Sequence, residues 1–468
     1  MLNLFPSSYI YIYIYIYIYI YIYIHRYIYT LQDLKMATMH LLLSALLLHS
    51  FMLTASAREA VDIIIANNGG GYPYASPPPP ACHPPPPPPP PPPMCEPRLE
   101  RGRKTLVGFT GAVDKNKYIG DWRGSNPCKF KGIRCAKYPD SEKQLAIAGI
   151  DLNGAGLSGK NRAPLLLSGI LDRIPELTFF HVNSNNFTGA IPPQITQYEY
   201  FFELDLSNNR LKGEFPKEVL QSSQLVFLDL RFNSLYGSIP SQLFHLKYLD
   251  VIFINNNQFT GNLPDDFGST PARYLTFANN QLTGPIPASV GAAKNLVEVL
   301  FLGNHFQGCL PYQIGLLNKA TVFDVSKNWL TGPIPRSFGC LESIRYLNLE
   351  QNQMYGEVPE TVCELPGLRN RGNLSLSDNY FTQVGPACRR LIEANVLDVR
   401  NNCILGLPNQ RTHEQCSQFF SNLKPCPNPK SLNYVPCKKY DPSGHIHSAA
   451  TPPPRPVSYN SLDPTLHR

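Results

Sequence analysis

The sequence predicts an α/β repeat solenoid, a right-handed superhelix of about eleven turns closed by disulfide-bonded caps, and three observations carry that prediction. The phrase Leu225-x-x-Leu228-x-Leu230-x-x-Asn233-x-Leu235-x-Gly237-x-Ile239-Pro240 recurs with its asparagine at Asn185, Asn209, Asn233, Asn257, Asn280, Asn304, Asn328, Asn352, Asn379 and Asn402. A divergent turn with Ile150, Leu152, Leu157 and Gly159, and Ala155 in place of the asparagine, precedes these ten. Cysteines cluster at both ends of the array, where the first and last apolar faces need covering.

Each residue type in the phrase has a mechanical duty. Leucines at L-x-L spacing put two side chains on one face of a short strand, which only stacked neighbours can bury. The asparagine stands where the chain bends out of the strand, and its amide can satisfy backbone groups that the bend leaves unpaired. The glycine four positions later reaches backbone angles closed to other residues, and the Ile-Pro that follows ends strand pairing. This Gly-x-Ile-Pro ending resembles the plant extracellular subclass of leucine-rich repeats.

In chain order, residues 1–35 hold an unbroken Tyr-Ile alternation from Tyr9 to Ile24, what a TAT-ATA repeat gives when translated, and read as untranslated leader rather than part of the protein. Residues 36–57 read as a signal peptide, with an apolar run at Leu41–Leu48 and a small-x-small end at Ala55-Ser56-Ala57. Residues 58–97 form a proline-rich linker whose ten prolines Pro84 to Pro93 favour a stiff polyproline II rod. An N-terminal cap (98–144), the repeats (145–408), a cysteine-containing C-terminal cap (409–440) and a proline-containing tail (441–468) complete the expected organisation. No run long and apolar enough for a membrane span or lipid-anchor signal follows residue 57, so a secreted, extracellular chain is expected.

Twelve cysteines suit an oxidising compartment, and the lack of any C-x-x-C pair argues against zinc. Cys128 and Cys135, after Trp122, read as the disulfide of the N-terminal cap. Cys363 and Cys388 sit at similar offsets in adjacent turns and can bridge them. Cys403, Cys416, Cys426 and Cys437 belong to the C-terminal cap, and Cys309 and Cys340 have no obvious partners. Cys82 and Cys95 bracket the ten-proline run and could pair with each other or join two chains into a disulfide-linked dimer. The net charge is +7, and the stretch from Glu96 to Lys143 holds twelve Lys and Arg against six Asp and Glu. That basic cap could attract an acidic polymer such as pectin, or simply be solvated.

Several phrases resemble the repeat domain of plant leucine-rich repeat extensins and their pollen-type relatives over roughly residues 105–440. They include Trp122 with Gly124-Ser125-Asn126-Pro127-Cys128, Phe202-Glu203-Leu204-Asp205-Leu206-Ser207-Asn208-Asn209-Arg210 and Val322-Phe323-Asp324-Val325-Ser326. The long C-terminal region of repeated Ser-Pro blocks seen in that family is not matched. Pro285 stands where the family pattern suggests a cysteine near a partner for Cys309. The resemblance implies a cell-wall or apoplastic protein, without enzymatic activity or cofactor, that binds rapid alkalinisation factor peptides, which are small, basic and secreted.

The repeats point the same way. Outward strand positions form two columns, Phe179, Glu203, Phe227, Val251, Tyr274, Glu298, Val322, Tyr346 and His181, Asp205, Asp229, Phe253, Thr276, Leu300, Asp324, Asn348, in which acids alternate with aromatics. A basic peptide with apolar anchors suits Glu203, Asp205, Phe227, Asp229, Phe253, Tyr274, Glu298 and Asp324; nucleic acid does not. The competing readings are an inhibitor of the polygalacturonase-inhibiting type and a structural wall glycoprotein. Catalysis by Asp205 and Asp229 is disfavoured, because an open face offers no desolvated pocket to split their pKa values. The sequons Asn186-Phe187-Thr188 and Asn373-Leu374-Ser375 predict N-glycans at Asn186 and Asn373.

Overall fold

The computed structural model describes residues 96–139, 142–370 and 372–437. The leader, signal and linker segments, Cys82, Cys95 and the tail lie outside the described residues. A twelve-stranded sheet runs along the array, and its first strand, Ile133–Lys137, pairs antiparallel with Leu145–Asp151. From Leu145–Asp151 onward the strands are parallel, one per turn: Phe179–His181, Glu203–Asp205, Phe227–Asp229, Val251–Phe253, Tyr274–Thr276, Glu298–Leu300, Val322–Asp324, Tyr346–Asn348, Asn373–Ser375 and Leu397–Asp398. That makes the eleven turns expected from the leucine phrase.

Short strands after each bend build a second flank, of six strands from Leu165–Leu166 to Gln281–Thr283 and four from Gln307–Cys309 to Tyr380–Val384. The Pro of each Ile-Pro ending then opens a single turn of 3-10 helix, as at Ser241–His245 and Ala288–Ala292. Proline fits there because its fixed φ suits the entry and no donor is needed. Inside, Phe244, Phe267, Phe277, Phe301 and Phe306 form a continuous aromatic stack, with ring centroids 4.9 to 6.4 Å apart. All five are fully buried.

The asparagine ladder satisfies the backbone at every bend. Asn304 is representative: its Nδ2 donates to the carbonyls of Phe277 and Phe301 at 3.0 Å and of Leu302 at 3.3 Å, while its Oδ1 accepts from the Leu282 N–H at 3.0 Å. One amide therefore ties two turns together, and its burial is offset by filled hydrogen bonds. The residue just before it adopts left-handed φ in turn after turn, at Ser184, Asn208, Asn256, Asn279 and Gly303 among others. Phe232 takes this position with φ of 51° and remains 38% exposed, an uncommon state for a bulky residue. The phrase glycine is also left-handed, as at Gly237 with φ of 82°.

Both ends are sealed. The helix Pro97–Thr110 lays Leu106 and Phe109 onto the first turns, and Phe109 stacks on Phe187 at 6.2 Å. Trp122 is buried against Phe130 and donates its Nε1–H to the Lys131 carbonyl at 3.0 Å. Cys128–Cys135 and Cys363–Cys388 form as expected, and Cys403 bonds Cys416. Cys309 and Cys340, which the sequence left without partners, reach the C-terminal cap as Cys309–Cys426 and Cys340–Cys437, across 117 and 97 residues. The partner of Cys309 thus comes from the C-terminal cap and not from a neighbouring turn: the chain after the last turn folds back along the flank, and Tyr434 meets Tyr312 edge-on at 5.0 Å. Five disulfides among the described residues fit an oxidising, extracellular compartment. No helix among the described residues is long and apolar enough to cross a membrane.

Candidate functional site

Strand register fixes which side chains share the outward face. Phe179, Glu203, Phe227, Val251, Tyr274, Glu298, Val322, Tyr346 and Asn373 stand in one column. Asp151, His181, Asp205, Asp229, Phe253, Thr276, Leu300, Asp324 and Asn348 stand in the next. Between them, the alternate positions Leu204, Leu228, Ile252, Leu275, Val299 and Phe323 are fully buried.

Glu203, Asp205, Phe227, Asp229 and Phe253 therefore come together on three successive strands, with Tyr274 one strand further. Phe227 and Phe253 meet edge-on at 6.1 Å. Phe253 is only 6% exposed, and the Arg231 guanidinium lies 4.9 Å from its ring. Phe227 and Tyr274 keep more of their rings in solvent. Glu298 and Asp324 lie further along the array, on consecutive strands.

The acids differ in how they are engaged. Asp205 Oδ1 accepts from the Ser207 N–H at 3.0 Å and the Ser207 hydroxyl at 2.6 Å. Asp229, fully buried, accepts from the Arg231 N–H at 3.0 Å and pairs with its guanidinium at 2.7 Å. Asp324 accepts from the Ser326 N–H at 2.9 Å and from Asn348 Nδ2 at 3.1 Å. These are Asx turns closing the strand end. Burial pushes the Asp229 carboxyl up to about 7, with help from neighbouring Asp205 and against the pull of Arg231. Burial likewise raises Glu298 to about 7, and raises Asp324 to about 6 against its Ser326 and Asn348 hydrogen bonds.

Glu203 Oε2 is 2.9 Å from His181 Nε2, and the His181 ring packs on Phe179 at 4.9 Å. Burial works against a charged His181, yet Glu203, Asp205 and Asp151 together hold its pKa above the usual value. Among the described residues no group of His, Cys, Asp and Glu is arranged to hold a metal ion.

A third outward column, which the L-x-L pattern does not reveal, adds Arg231, Leu302 and Glu350. These residues lie two positions past the strand ends, where turn-to-turn backbone bonds continue through the carbonyls of Arg231, Leu302 and Glu350. Asn373 lies on the same face beside Tyr346, and half-buried Asn186 donates its N–H to the Leu157 carbonyl at 2.9 Å. In the basic cap Arg101 pairs with Glu176, Arg103 with Glu100 at 2.6 Å, and Arg98 lies 4.4 Å over Tyr138. Part of that cap's positive charge is thus engaged within the protein.

The Leucine Rich Repeat family pattern matches residues 202–221, 224–246 and 245–270. Leucine-rich repeat extensin-like protein 6 of Arabidopsis thaliana is 40% identical over 329 residues, covering 69% of this chain and 67% of that one. Leucine-rich repeat extensin-like protein 2 of the same plant is 40% identical over 233 residues, 49% of this chain but only 29% of that longer one. Among solved structures, the Arabidopsis receptor kinase HAESA in complex with the peptide hormone IDA and the co-receptor SERK1 shares the fold. Its TM-score is 0.55 at 22% identity, over 65% of this chain and 50% of that one. A plant ice-binding protein has a TM-score of 0.52 at 23% identity, over 67% of this chain and 97% of that one. One solenoid thus serves dissimilar proteins, and function has to be argued from surface residues. Repeat phrase, cap cysteines and the match along two thirds of a relative agree that the chain belongs to the leucine-rich repeat extensin-like family.

Proposed function

We propose that the outward strand face binds a small, basic, disulfide-folded secreted peptide of the rapid alkalinisation factor class, in the cell wall or apoplast. The observation that carries this reading is a band of aromatics set among acids on one hydrogen-bonded sheet. Glu203, Asp205, Asp229, Glu298 and Asp324 supply the acids, and Phe227, Phe253 and Tyr274 supply the apolar anchors. Family membership supports the peptide class. A surface whose backbone is already fixed loses little entropy on binding, so few anchors suffice. The reading concerns binding, and it assigns no catalytic role to any residue.

The acids have unequal parts in it. Asp229 and Asp324 mainly hold strand ends, so they act through the shape and field of the face. Glu203 and Asp205, nearer the solvent, steer a cationic partner and make binding sensitive to salt. Phe227 and Tyr274 supply desolvated contact, each contributing about 2 kcal/mol or more. The test is calorimetric titration of the protein with a panel of synthetic, oxidatively folded rapid alkalinisation factor peptides. Submicromolar binding by at least one member, weakened by Phe227→Ala, supports the reading. Absence of binding across the panel, with the protein folded, contradicts it.

A further inference from the structure

Of the five acids assigned to the peptide, four already have partners: Glu203 with His181, Asp205 with Ser207, Asp229 with Arg231, and Asp324 with Ser326 and Asn348. Glu298 has none. Among the described residues no hydrogen bond or ion pair reaches its carboxyl, and burial alone shifts its titration. Its register neighbours are Tyr274 on one side and Val322 on the other, and Leu300 follows it on its own strand. Glu298 is half-buried, so its carboxyl is partly desolvated by these apolar neighbours yet still open to an incoming group.

The charged groups nearby do not supply a partner. On the Tyr274–Thr276 side stands Arg273, whose guanidinium lies 5.7 Å over the Tyr274 ring and is bound to Asp250, with Nε 2.6 Å from Oδ1. On the Val322–Asp324 side the titratable group is Asp324, a like charge held by Ser326 and Asn348. The Glu298–Leu300 strand itself offers no other ionisable side chain.

We infer that Glu298 is the docking point for one lysine or arginine side chain of the bound peptide, whose stem lies along Leu300 and Val322 and whose cation pairs with the carboxylate. The inference rests on the peptide-binding reading and sharpens it, assigning the charge recognition to one residue. Long cationic side chains suit such a place, because their methylenes cover apolar surface while the head group needs an anion. A neutral or acidic residue there would leave the carboxyl unpaired, so the position selects as well as binds.

Proton balance follows. In the free protein Glu298 is held protonated up to about pH 7. Docking converts the carboxyl and the incoming cation into a carboxylate–cation pair, and the proton passes to solvent. Each pH unit below about 7 therefore weakens binding by up to about tenfold, and the exchange saturates above it.

The experiment is calorimetry of the full chain with the peptide panel at pH 6, in two buffers of different ionisation enthalpy, for the native protein, Glu298→Gln and Glu298→Asp. A matching Tm for each variant establishes folding. The native protein should release about one proton more per bound peptide than Glu298→Gln, and Glu298→Gln should bind at least about tenfold more weakly at pH 7.5. Glu298→Asp, which keeps the charge, should recover part of both. If Glu298→Gln binds as tightly and releases as many protons as the native protein, the inference falls and the peptide reading stands. If the native protein binds no member of the panel, both fall.

Discussion

Asp205 and Asp229 stand directly opposite one another on adjacent strands, yet each carboxylate turns onto the residue two positions ahead in its own chain, Ser207 in one case and Arg231 in the other. Two acids that would repel across a ladder are thereby screened by local donors. The acidic appearance of the face therefore overstates its available charge.

That arrangement predicts how stability depends on pH. Asp229 and Glu298 are raised to about 7, Asp324 to about 6, and His181 lies above its usual value. Each of these groups binds its proton more tightly in the folded state than in the unfolded chain. Their contribution is complete below the unfolded values and is lost as pH rises through the folded ones. The Tm should fall by at least about 5 °C between pH 5 and pH 8. Differential scanning calorimetry checks this, and Asp229→Asn should flatten the slope.

The asparagine ladder predicts a steep structural cost. Asn304→Ala strands the Leu282 N–H and three carbonyls inside the bend and should cost about 2 to 4 kcal/mol. Exposed Asn295, whose side chain accepts a hydrogen bond from Lys319 Nζ at 3.0 Å, should change stability by less than about 0.5 kcal/mol when replaced by alanine. Urea unfolding of the two variants separates them.

The C-terminal strap predicts another. Cys309→Ser together with Cys426→Ser opens a loop of 117 residues, and loss of a closure of that length should cost about 2 to 5 kcal/mol. Urea midpoints of the double variant and native protein measure it. An unchanged midpoint would show that the cap holds by packing alone.

Glycans are expected at Asn186 and Asn373. The second grows from the outward column beside Tyr346, so it should cover that end of the face and direct a peptide toward the earlier turns. Glycopeptide mass spectrometry on protein secreted from plant cells tests occupancy, and unmodified asparagine at both positions contradicts it.

Much of the fold could be read from the chain because the information repeats locally. Leu228 and Leu230, or Asn233 and Gly237, sit within a few residues of each other and recur in turn after turn. What escaped was either variable or remote. The left-handed position before each asparagine is filled by Asn, Asp or Gly at Asn208, Asn256, Asn279, Gly303, Asp378 and Asn401 but by Ser184, Phe232, Lys327 and Gln351 elsewhere, so residue type marks it in only part of the array. Cys309 and Cys426 meet only because the chain folds back after its last turn. For the site, the columns were legible from strand alternation. The pairing of Asp229 with Arg231 and the isolation of Glu298 were not, since they depend on where carboxylates turn. A sequence signal exists for the former: Asp two residues before Ser or Arg at a strand end, as in Asp205-x-Ser207 and Asp324-x-Ser326.

The central claim is that peptide binding occurs on the outward strand face, and photo-cross-linking tests it most directly. A basic peptide from the panel, carrying a photoreactive group at one lysine, is irradiated on the full chain, and the attachment sites are read by mass spectrometry. Attachment to Phe227, Tyr274, Glu298 or Leu300 is the predicted result. Attachment confined to the basic cap around Arg101 and Arg134, or to the flank strands around Tyr236 and Trp329, would contradict it.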